Sequence, residues 1–165
     1  MTISPDELNK NAPRIERDSR KFFDRILKFN KKALDQELTG LHDQVFEKID
    51  CLACANCCKT ISPVFKDRDI SRLADHFGMR PGMVVDKYLL LDSDGDYVPK
   101  TIPCPFLGEG NRCSVYDHRP QACRNYPHTD TLPLSKSTSL IVKNSAVCPA
   151  VYEMVKIMEA RYATK

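Results

Sequence analysis

Eight cysteines, all between Cys51 and Cys148, constrain this chain of 165 residues more than any other feature. They are too many for incidental core thiols and too few for a small disulfide scaffold. The first 21 residues contain no apolar run of the kind a secretory signal needs, and no stretch approaches the length of a membrane span. We therefore expect a cytoplasmic protein whose reduced thiols bind metal or act in catalysis, with disulfides as the less favoured alternative.

The cysteines begin with a closely spaced run, Cys51-x2-Cys54-x2-Cys57-Cys58. Two-residue spacing lets a tight turn aim neighbouring thiolates at one centre, and thiolates select Zn(II), Cu(I) or iron–sulfur clusters. If Cys58 points away, three cysteines leave a tetrahedral site incomplete. The further ligands then come from the later cysteines, which are Cys104, Cys113, Cys123 and Cys148. The sequence predicts that all eight cysteines chelate metal, in one centre or in two.

The adjacent pair Cys57-Cys58 bears on the number of centres. If this segment is extended, successive side chains point to opposite faces, and both thiolates do not easily reach one ion. The pair then indicates two adjacent centres, or one centre with a reactive thiol beside it.

The spacing also bears on which metal is bound. Three close cysteines with a remote Cys-Pro are similar to the ferredoxin run, although the close fourth cysteine is missing here. Structural zinc sites usually come as two separate Cys-x2-4-Cys pairs, whereas eight and nine residues separate Cys104, Cys113 and Cys123 here. We therefore favour a [4Fe-4S] cluster, with Zn²⁺ as the alternative.

Charged and aromatic residues surround Cys113 and Cys123. Arg119, Arg124 and Tyr126 are the predicted cofactor-binding residues, because cations offset the surplus negative charge of four thiolates or bind an anionic substrate. The alternative is that both arginines cap backbone carbonyls in a loop. His118 and His128 flank Cys123 and are less favoured as replacement ligands, while His42 and His76 fall in helical patterns as surface residues.

The first fifty residues contain no cysteine and predict an amphipathic helical segment. Ser4 and Glu7 form a capping-box pattern with proline between them, and Pro13 is expected to limit a helix that begins there. From Ile15 onward the apolar spacing is helical with an interruption at Thr39-Gly40. Nine basic and three acidic residues lie between Lys10 and Lys32, and we interpret them as a solvated face rather than a surface for RNA or membrane.

The later segments predict a mixed fold. A helix ends at Gly78, a second short helix covers residues 82–89, and a hairpin turns at Asp94-Gly95. Residues 101–133 are rich in proline and cysteine, and a helix begins at Cys148-Pro149. We expect an α-rich, irregular α+β fold with a helical N-terminal segment, a metal-tied Cys/Pro-rich lobe and a C-terminal helix. The predicted organisation is an N-terminal extension over residues 1–50 and a cysteine-cluster domain over residues 51–165.

Four sequence segments together resemble the YkgJ-type cysteine-cluster family: CLACANCC at 51–58, PCPFL at 103–107, CSVYDHRPQACRNYP at 113–127, and Cys148-Pro149. The resemblance covers about residues 50–150 and implies chelation of zinc or iron by the cysteines. Flagellin lysine N-methylase, a much larger enzyme, shares this motif, and the resemblance implies neither its substrate nor its activity here.

Three functions follow from these observations. The first is a metal- or cluster-binding protein with a redox or metal-handling role. The second is an iron–sulfur-dependent oxidoreductase or methyl-transfer enzyme whose cluster meets substrate near Arg119 and Arg124. The third is a structural zinc module that presents the basic helix to a partner. The net charge of +3 gives no clear indication of nucleic acid, and the sequence leaves open whether the protein is an enzyme.

Overall fold

The computed structural model describes residues 3–29 and 31–163, and the chain divides into two units. Met1–Cys51 and Pro127–Lys165 form the first, which we call the helical unit, and Leu52–Tyr126 form the second, the cysteine unit. The domain boundary predicted between residues 50 and 51 stays a prediction. The predicted fold class is confirmed, because most of the structure is helical and one small sheet accompanies the helices.

The elements in chain order are α1 (Pro5–Ile26), α2 (Lys31–Phe46), α3 (Cys51–Cys54), α4 (Asn56–Thr60), α5 (Asp67–Phe77), α6 (Pro81–Tyr88), β1 (Leu89–Leu91), β2 (Tyr97–Pro99), α7 (Gln121–Arg124), α8 (Leu134–Ser145) and α9 (Pro149–Arg161). Short 3₁₀ turns cover Glu109–Asn111 and Tyr116–His118.

Helix α1 begins at the capping box that the sequence predicts. The Ser4 hydroxyl accepts a hydrogen bond from the Glu7 N–H at 3.2 Å, and the Glu7 carboxylate accepts the Ser4 N–H at 3.1 Å. The expectation that Pro13 would limit this helix was wrong, since α1 continues through it to Ile26. A proline inside a helix costs about 3 kcal/mol. Burial of apolar side chains on both sides of Pro13, including Leu8 and Ile15, offsets that cost.

The interruption predicted at Thr39-Gly40 was also wrong. Helix α2 passes through both residues, and the chain instead turns after Ile26, where the Leu27 N–H bonds the Phe23 carbonyl. Leu38 and Leu41 on either side of the pair are each 2% exposed. Because tertiary packing stabilises α2 around Gly40, the low helix propensity of glycine does not decide where the helix ends.

Helix α8 is an element that the sequence analysis missed. Its segment is rich in serine and threonine, yet Ile141 and Val142 are fully buried and Ser137 and Ser145 face the interior with them. The Ser145 hydroxyl lies 3.0 Å from that of Ser19 on α1. Small polar side chains thus occupy the buried face of α8, and they weaken the apolar periodicity by which a helix is recognised.

One apolar cluster joins α1, α2, α8 and α9 in the helical unit. The predicted helix after Cys148 is confirmed as α9, and Met154 and Met158 are fully buried in this cluster. These methionines therefore serve in core packing.

The cysteine unit has a smaller core of its own, built from Phe65, Ile70, Leu73, Ala74, Val84, Leu89, Phe106 and Val115. Strands β1 and β2 pair in antiparallel register, with Leu90 opposite Val98, and Gly95 takes a φ of +78° in the connecting turn. The predicted hairpin is therefore confirmed. Phe106 and Val115 lie before and after Cys113 in the chain. Their side chains pack in this core and so anchor the proline- and cysteine-rich segment.

Helix α5 ends where the sequence predicts, because Gly78 adopts the left-handed conformation with a φ of +62°. We expect Gly78→Ala to lower the free energy of unfolding by about 1 kcal/mol, since a Cβ strains this backbone conformation. Thermal unfolding followed by circular dichroism measures the change as a melting temperature lower by about 2–4 °C.

Gly82→Ala is the matched control. Gly82 lies inside α6, does not have a positive φ, and has open space where a Cβ would sit. We expect its melting temperature to be unchanged or slightly raised, because alanine favours the helix. Equal losses in the two variants would contradict the conformational argument for Gly78.

Candidate metal centre

Six of the eight cysteines lie in or directly before helices, and Cys104 and Cys113 lie in the loop between β2 and α7. Cys51 and Cys54 bound α3, Cys57 and Cys58 lie in the first turn of α4, and Cys123 lies in α7. Cys148 is the N-cap residue of α9. None of the eight is in a disulfide, and Cys51 is the most exposed of them.

The division into units separates the cysteines unevenly. Six lie in the cysteine unit: Cys54, Cys57, Cys58, Cys104, Cys113 and Cys123. Cys51 and Cys148 belong to the helical unit, where Cys148 packs against the large apolar cluster. The cysteine unit therefore contains more thiols than one tetrahedral ion requires.

The adjacent pair Cys57-Cys58 is helical, so the argument that applied to an extended segment does not hold here. Ala55 precedes α4 with a φ of +47°, and this left-handed residue turns the chain between α3 and α4. Successive residues of a helix are about 100° apart. The two thiols thus leave α4 in different directions without pointing to opposite faces, and Cys57 donates a hydrogen bond to the Cys58 sulfur.

Backbone pairing brings Cys58, Cys104 and Cys113 together. The Cys104 N–H donates to the Cys58 carbonyl at 2.9 Å, which joins α4 to the loop over residues 104–113. Within that loop Leu107 pairs with Cys113, and the Ser114 N–H bonds the Phe106 carbonyl at 2.8 Å. The loop therefore places its two cysteines side by side.

Backbone N–H groups also point at the sulfurs in this loop. Phe106 and Leu107 donate to the Cys104 sulfur, and Val115 donates to the Cys113 sulfur. Such donors favour the thiolate form of cysteine. The local turns after Cys104 and Cys113 are thus already arranged to stabilise negative charge on sulfur.

A buried carboxylate holds the third segment, which carries Cys123. Asp69 on α5 accepts hydrogen bonds from Arg72 at 2.6 Å and from the Gln121 N–H, at the start of α7, at 3.1 Å. Arg72 donates in addition to the Arg119 carbonyl at 2.7 Å. Asp69 and Arg72 hold the segment of Cys123 in place, and the sequence analysis did not identify them. The signal available was only their spacing of three residues on a predicted helix.

The charges of four thiols affect one another's pKa. Burial raises the pKa of Cys123 to about 12, and charges on Cys58, Cys104 and Cys113 add to the increase. Burial likewise raises the pKa of Cys104 to about 11, with contributions from Cys58 and Cys113. We call Cys58, Cys104, Cys113 and Cys123 the four-sulfur group.

Cys58 differs from the other three members of the group. The hydrogen bond from Cys57 lowers the pKa of Cys58 to about 7, and the positive charges of Arg119 and Lys59 act in the same direction against the effect of burial. Burial raises the pKa of Cys113, and the Arg119 charge opposes that increase. Arg119 is therefore the cation shared by several sulfurs.

The predicted cofactor-binding arginines make backbone contacts. The Arg119 guanidinium lies 3.4 Å from the centre of the Tyr116 ring, and its Nε donates to the Tyr116 carbonyl at 2.7 Å. Arg124 donates to the carbonyls of Arg119 and Asp117. These are the carbonyl caps considered as the alternative, and the Arg119 charge in addition acts on the thiols of Cys58, Cys113 and Cys123. The hydroxyl oxygen of Tyr126 is buried. Cofactor binding by these residues stays a prediction.

Two of the four histidines lie in each unit. In the cysteine unit the rings of His76 and His118 stack, with 4.2 Å between the ring centres. His42 Nδ1 lies 2.7 Å from the buried Thr129 hydroxyl in the helical unit, where His128 has a φ of +67°. The ligand role considered for His118 and His128 stays a prediction.

The four-sulfur group has the donor chemistry of a metal site. Across residues 3–29 and 31–163, no three histidine, cysteine, aspartate or glutamate side chains are already arranged around a common ion position. The thiols are gathered by the backbone of three segments, and four thiolates suit Zn(II) or an iron–sulfur cluster. This donor set therefore fits the metals that the sequence predicts.

Comparison with known protein families identifies the family of this chain. Residues 50–149 match the CxxCxxCC family, described as a putative zinc- or iron-chelating domain. Searches of curated proteins and of solved structures each found no match. No helix in the described part of the chain is both long and apolar enough to cross a membrane. Because the matched segment covers more than half of the chain and contains all eight cysteines, this protein belongs to the CxxCxxCC family.

Proposed function

We propose that the protein binds a metal centre through the four-sulfur group, Cys58, Cys104, Cys113 and Cys123. The observation that carries this proposal is that backbone hydrogen bonds join the segments of Cys58, Cys104 and Cys113, while the charges of these thiols and of Cys123 act on one another. Family membership supports chelation of zinc or iron. Cys51, Cys54, Cys57 and Cys148 stay predicted ligands, of this centre or of a second one.

Burial of the cysteines favours binding of a cation. Cys104 and Cys123 lie where a bare thiolate is costly, since burial raises the pKa of both thiols. A bound metal supplies the positive charge that stabilises several thiolates at once, and binding releases their protons. The backbone N–H donors to Cys104 and Cys113 and the Arg119 charge offset the negative charge that remains.

We propose a [4Fe-4S] cluster as the occupant, with Zn²⁺ as the competing ion. Hydrogen bonds to cluster sulfurs and nearby charge tune the reduction potential of iron–sulfur centres, and both features surround the four-sulfur group. Six thiols in one unit also exceed what a closed zinc site uses. A redox or metal-handling role follows from such a centre.

Metal identity is tested by purification without oxygen or chelators. We expect a brown protein with broad visible absorbance, about four irons and four sulfides per cluster, and an electron paramagnetic resonance signal after reduction. A colourless protein with one zinc per chain would show that Zn²⁺, and not a cluster, is the occupant. The proposal that the four-sulfur group binds the metal would then stand. A folded protein free of any metal would overturn the proposal.

Substitution of single ligands tests the four-sulfur group. We expect Cys104→Ser and Cys123→Ser each to reduce the metal bound at this centre to less than about a tenth of the wild-type content, with a lower melting temperature because ligation and folding are coupled. Elemental analysis and differential scanning calorimetry measure the two effects. Cys51→Ser is the thiol control for a predicted ligand outside the four-sulfur group, since Cys51 is exposed and belongs to the helical unit.

The control also reports on the number of centres. Full metal content in Cys51→Ser is expected if the four-sulfur group is the sole centre, and loss of about half is expected if a second centre exists. Wild-type metal content in Cys123→Ser would contradict its role as a ligand.

Arg119 is expected to strengthen metal binding through its charge. We expect Arg119→Gln to weaken the affinity by about tenfold, because one positive charge is removed from the neighbourhood of three sulfurs. Arg119→Lys keeps the charge and should restore most of the affinity. Competition with a chromogenic chelator measures the metal affinity of the wild type and of both variants.

Arg124→Gln provides the comparison for Arg119. Arg124 makes the same kind of backbone contact in the same segment, through its bonds to the Arg119 and Asp117 carbonyls. We expect Arg124→Gln to lower the stability of the protein more than its affinity for the metal. Equal affinity losses in Arg119→Gln and Arg124→Gln would show that the segment's folding, and not the Arg119 charge, is responsible.

A further inference from the structure

The exposed face of α1 carries a row of positive charges that metal binding does not use. Within the helix the row follows steps of four, three, four and four residues, and one further lysine follows three residues after the last of them. We call this set the α1 cation row: Lys10, Arg14, Arg17, Lys21, Arg25 and Lys28. All six residues are exposed.

Helical geometry aligns these charges. At about 100° per residue, the five cations inside α1 fall within an arc of about 80° and extend over about 22 Å along the axis. The buried face of α1, which includes Ile15, Ser19 and Ile26, lies on the opposite side of the helix. The row is therefore a narrow line of positive charge on the exposed side of α1, although the Arg25 guanidinium also donates to the Tyr162 carbonyl at 3.3 Å.

The charge pattern differs from that of an ordinary solvated face. Asp18 and Asp24 lie at the two edges of the arc, and no acidic side chain lies within it between Lys10 and Arg25. Among the described residues the row has one ion pair, between Arg17 and Asp18 at 3.6 Å, with both side chains more than half exposed. Like charges three and four residues apart destabilise a helix. A surface that serves solubility alone mixes both signs.

An exposed aromatic ring lies at the end of the row. Phe29 follows Lys28 directly and is 43% exposed. Aromatic rings beside a line of cations are the elements with which proteins bind single-stranded nucleic acid, since bases stack on the ring while the cations contact phosphates.

We propose that the α1 cation row binds the phosphodiester backbone of a single-stranded nucleic acid, with Phe29 stacking on a base. A flexible single strand can follow a straight line of cations, whereas each strand of a duplex winds away from it. Insertion into a membrane would need the apolar face of α1, and that face is buried in the helical unit. The net charge of +3 conceals this surface because acidic residues elsewhere balance the row.

Binding is tested with the full-length protein as purified and a fluorescein-labelled uridine 20-mer, by fluorescence anisotropy. Five to six phosphate contacts predict a slope of about −3.5 to −4 for log affinity against log salt, from about −0.7 per contact. We therefore expect the affinity to fall by about a hundredfold or more between 50 and 200 mM salt.

Matched lysine variants separate the row from general charge. The row variant combines Lys10→Gln, Lys21→Gln and Lys28→Gln. The control combines Lys48→Gln, Lys136→Gln and Lys143→Gln, which are exposed lysines of the same unit outside α1. We expect the row variant to lose at least about tenfold in affinity at 50 mM salt and the slope to change by about 2, while the control stays within about threefold.

Phe29→Ala tests the stacking step. We expect about tenfold weaker binding with an unchanged salt slope, because the ring contributes without charge. Circular dichroism and metal content of each variant are expected to match the wild type, which keeps this test independent of the metal proposal.

Three results would overturn the proposal. One is the absence of RNA binding at 50 mM salt. Another is an equal loss of affinity in the row and control variants. The third is binding to phosphatidylserine-containing vesicles without binding to RNA, which would assign the row to an anionic lipid surface instead.

Discussion

The buried carboxylate of Asp69 is the interaction on which the cysteine unit depends. It is 3% exposed, and it accepts hydrogen bonds from the Lys66 N–H, the Arg72 guanidinium and the Gln121 N–H. A buried charge without partners would cost several kcal/mol, so a full set of donors is needed. The three donors meet that need. Through them Asp69 stabilises the start of α5 and holds α7, which carries Cys123, against α5. The hydrogen bond between the Gln121 N–H and Asp69 thus helps to position the Cys123 sulfur.

Local chemistry explains which parts of the fold could be predicted from the sequence. The capping box at Ser4, the left-handed glycine at Gly78 and the turn at Asp94-Gly95 each depend on a few adjacent residues. The start of α9 after Cys148 has the same local character. Pro13 and Gly40 were misjudged because tertiary burial outweighed their local preferences, and the serine-rich α8 was missed because its buried face is partly polar.

The grouping of the sulfurs depends on contacts that spacing does not contain. The sequence presents Cys51, Cys54 and Cys57 as a run that includes Cys58, whereas the four-sulfur group takes Cys58 from that run and three cysteines from downstream. The reason is backbone geometry. A left-handed Ala55 begins a new helix within the run, and the Cys104 N–H bonds the Cys58 carbonyl. Neither feature has a signature in cysteine spacing.

Positive charge has two different physical roles in this chain, although its net charge of +3 is small. Arg119 is partly buried, stacks on Tyr116 and acts on sulfurs in a region of reduced solvent screening, so a single cation is effective there. The α1 cation row is exposed and screened by salt, so it requires several charges in line to bind an anion. Salt therefore distinguishes the two roles, because added salt weakens the row far more than it weakens the effect of Arg119 on the four-sulfur group.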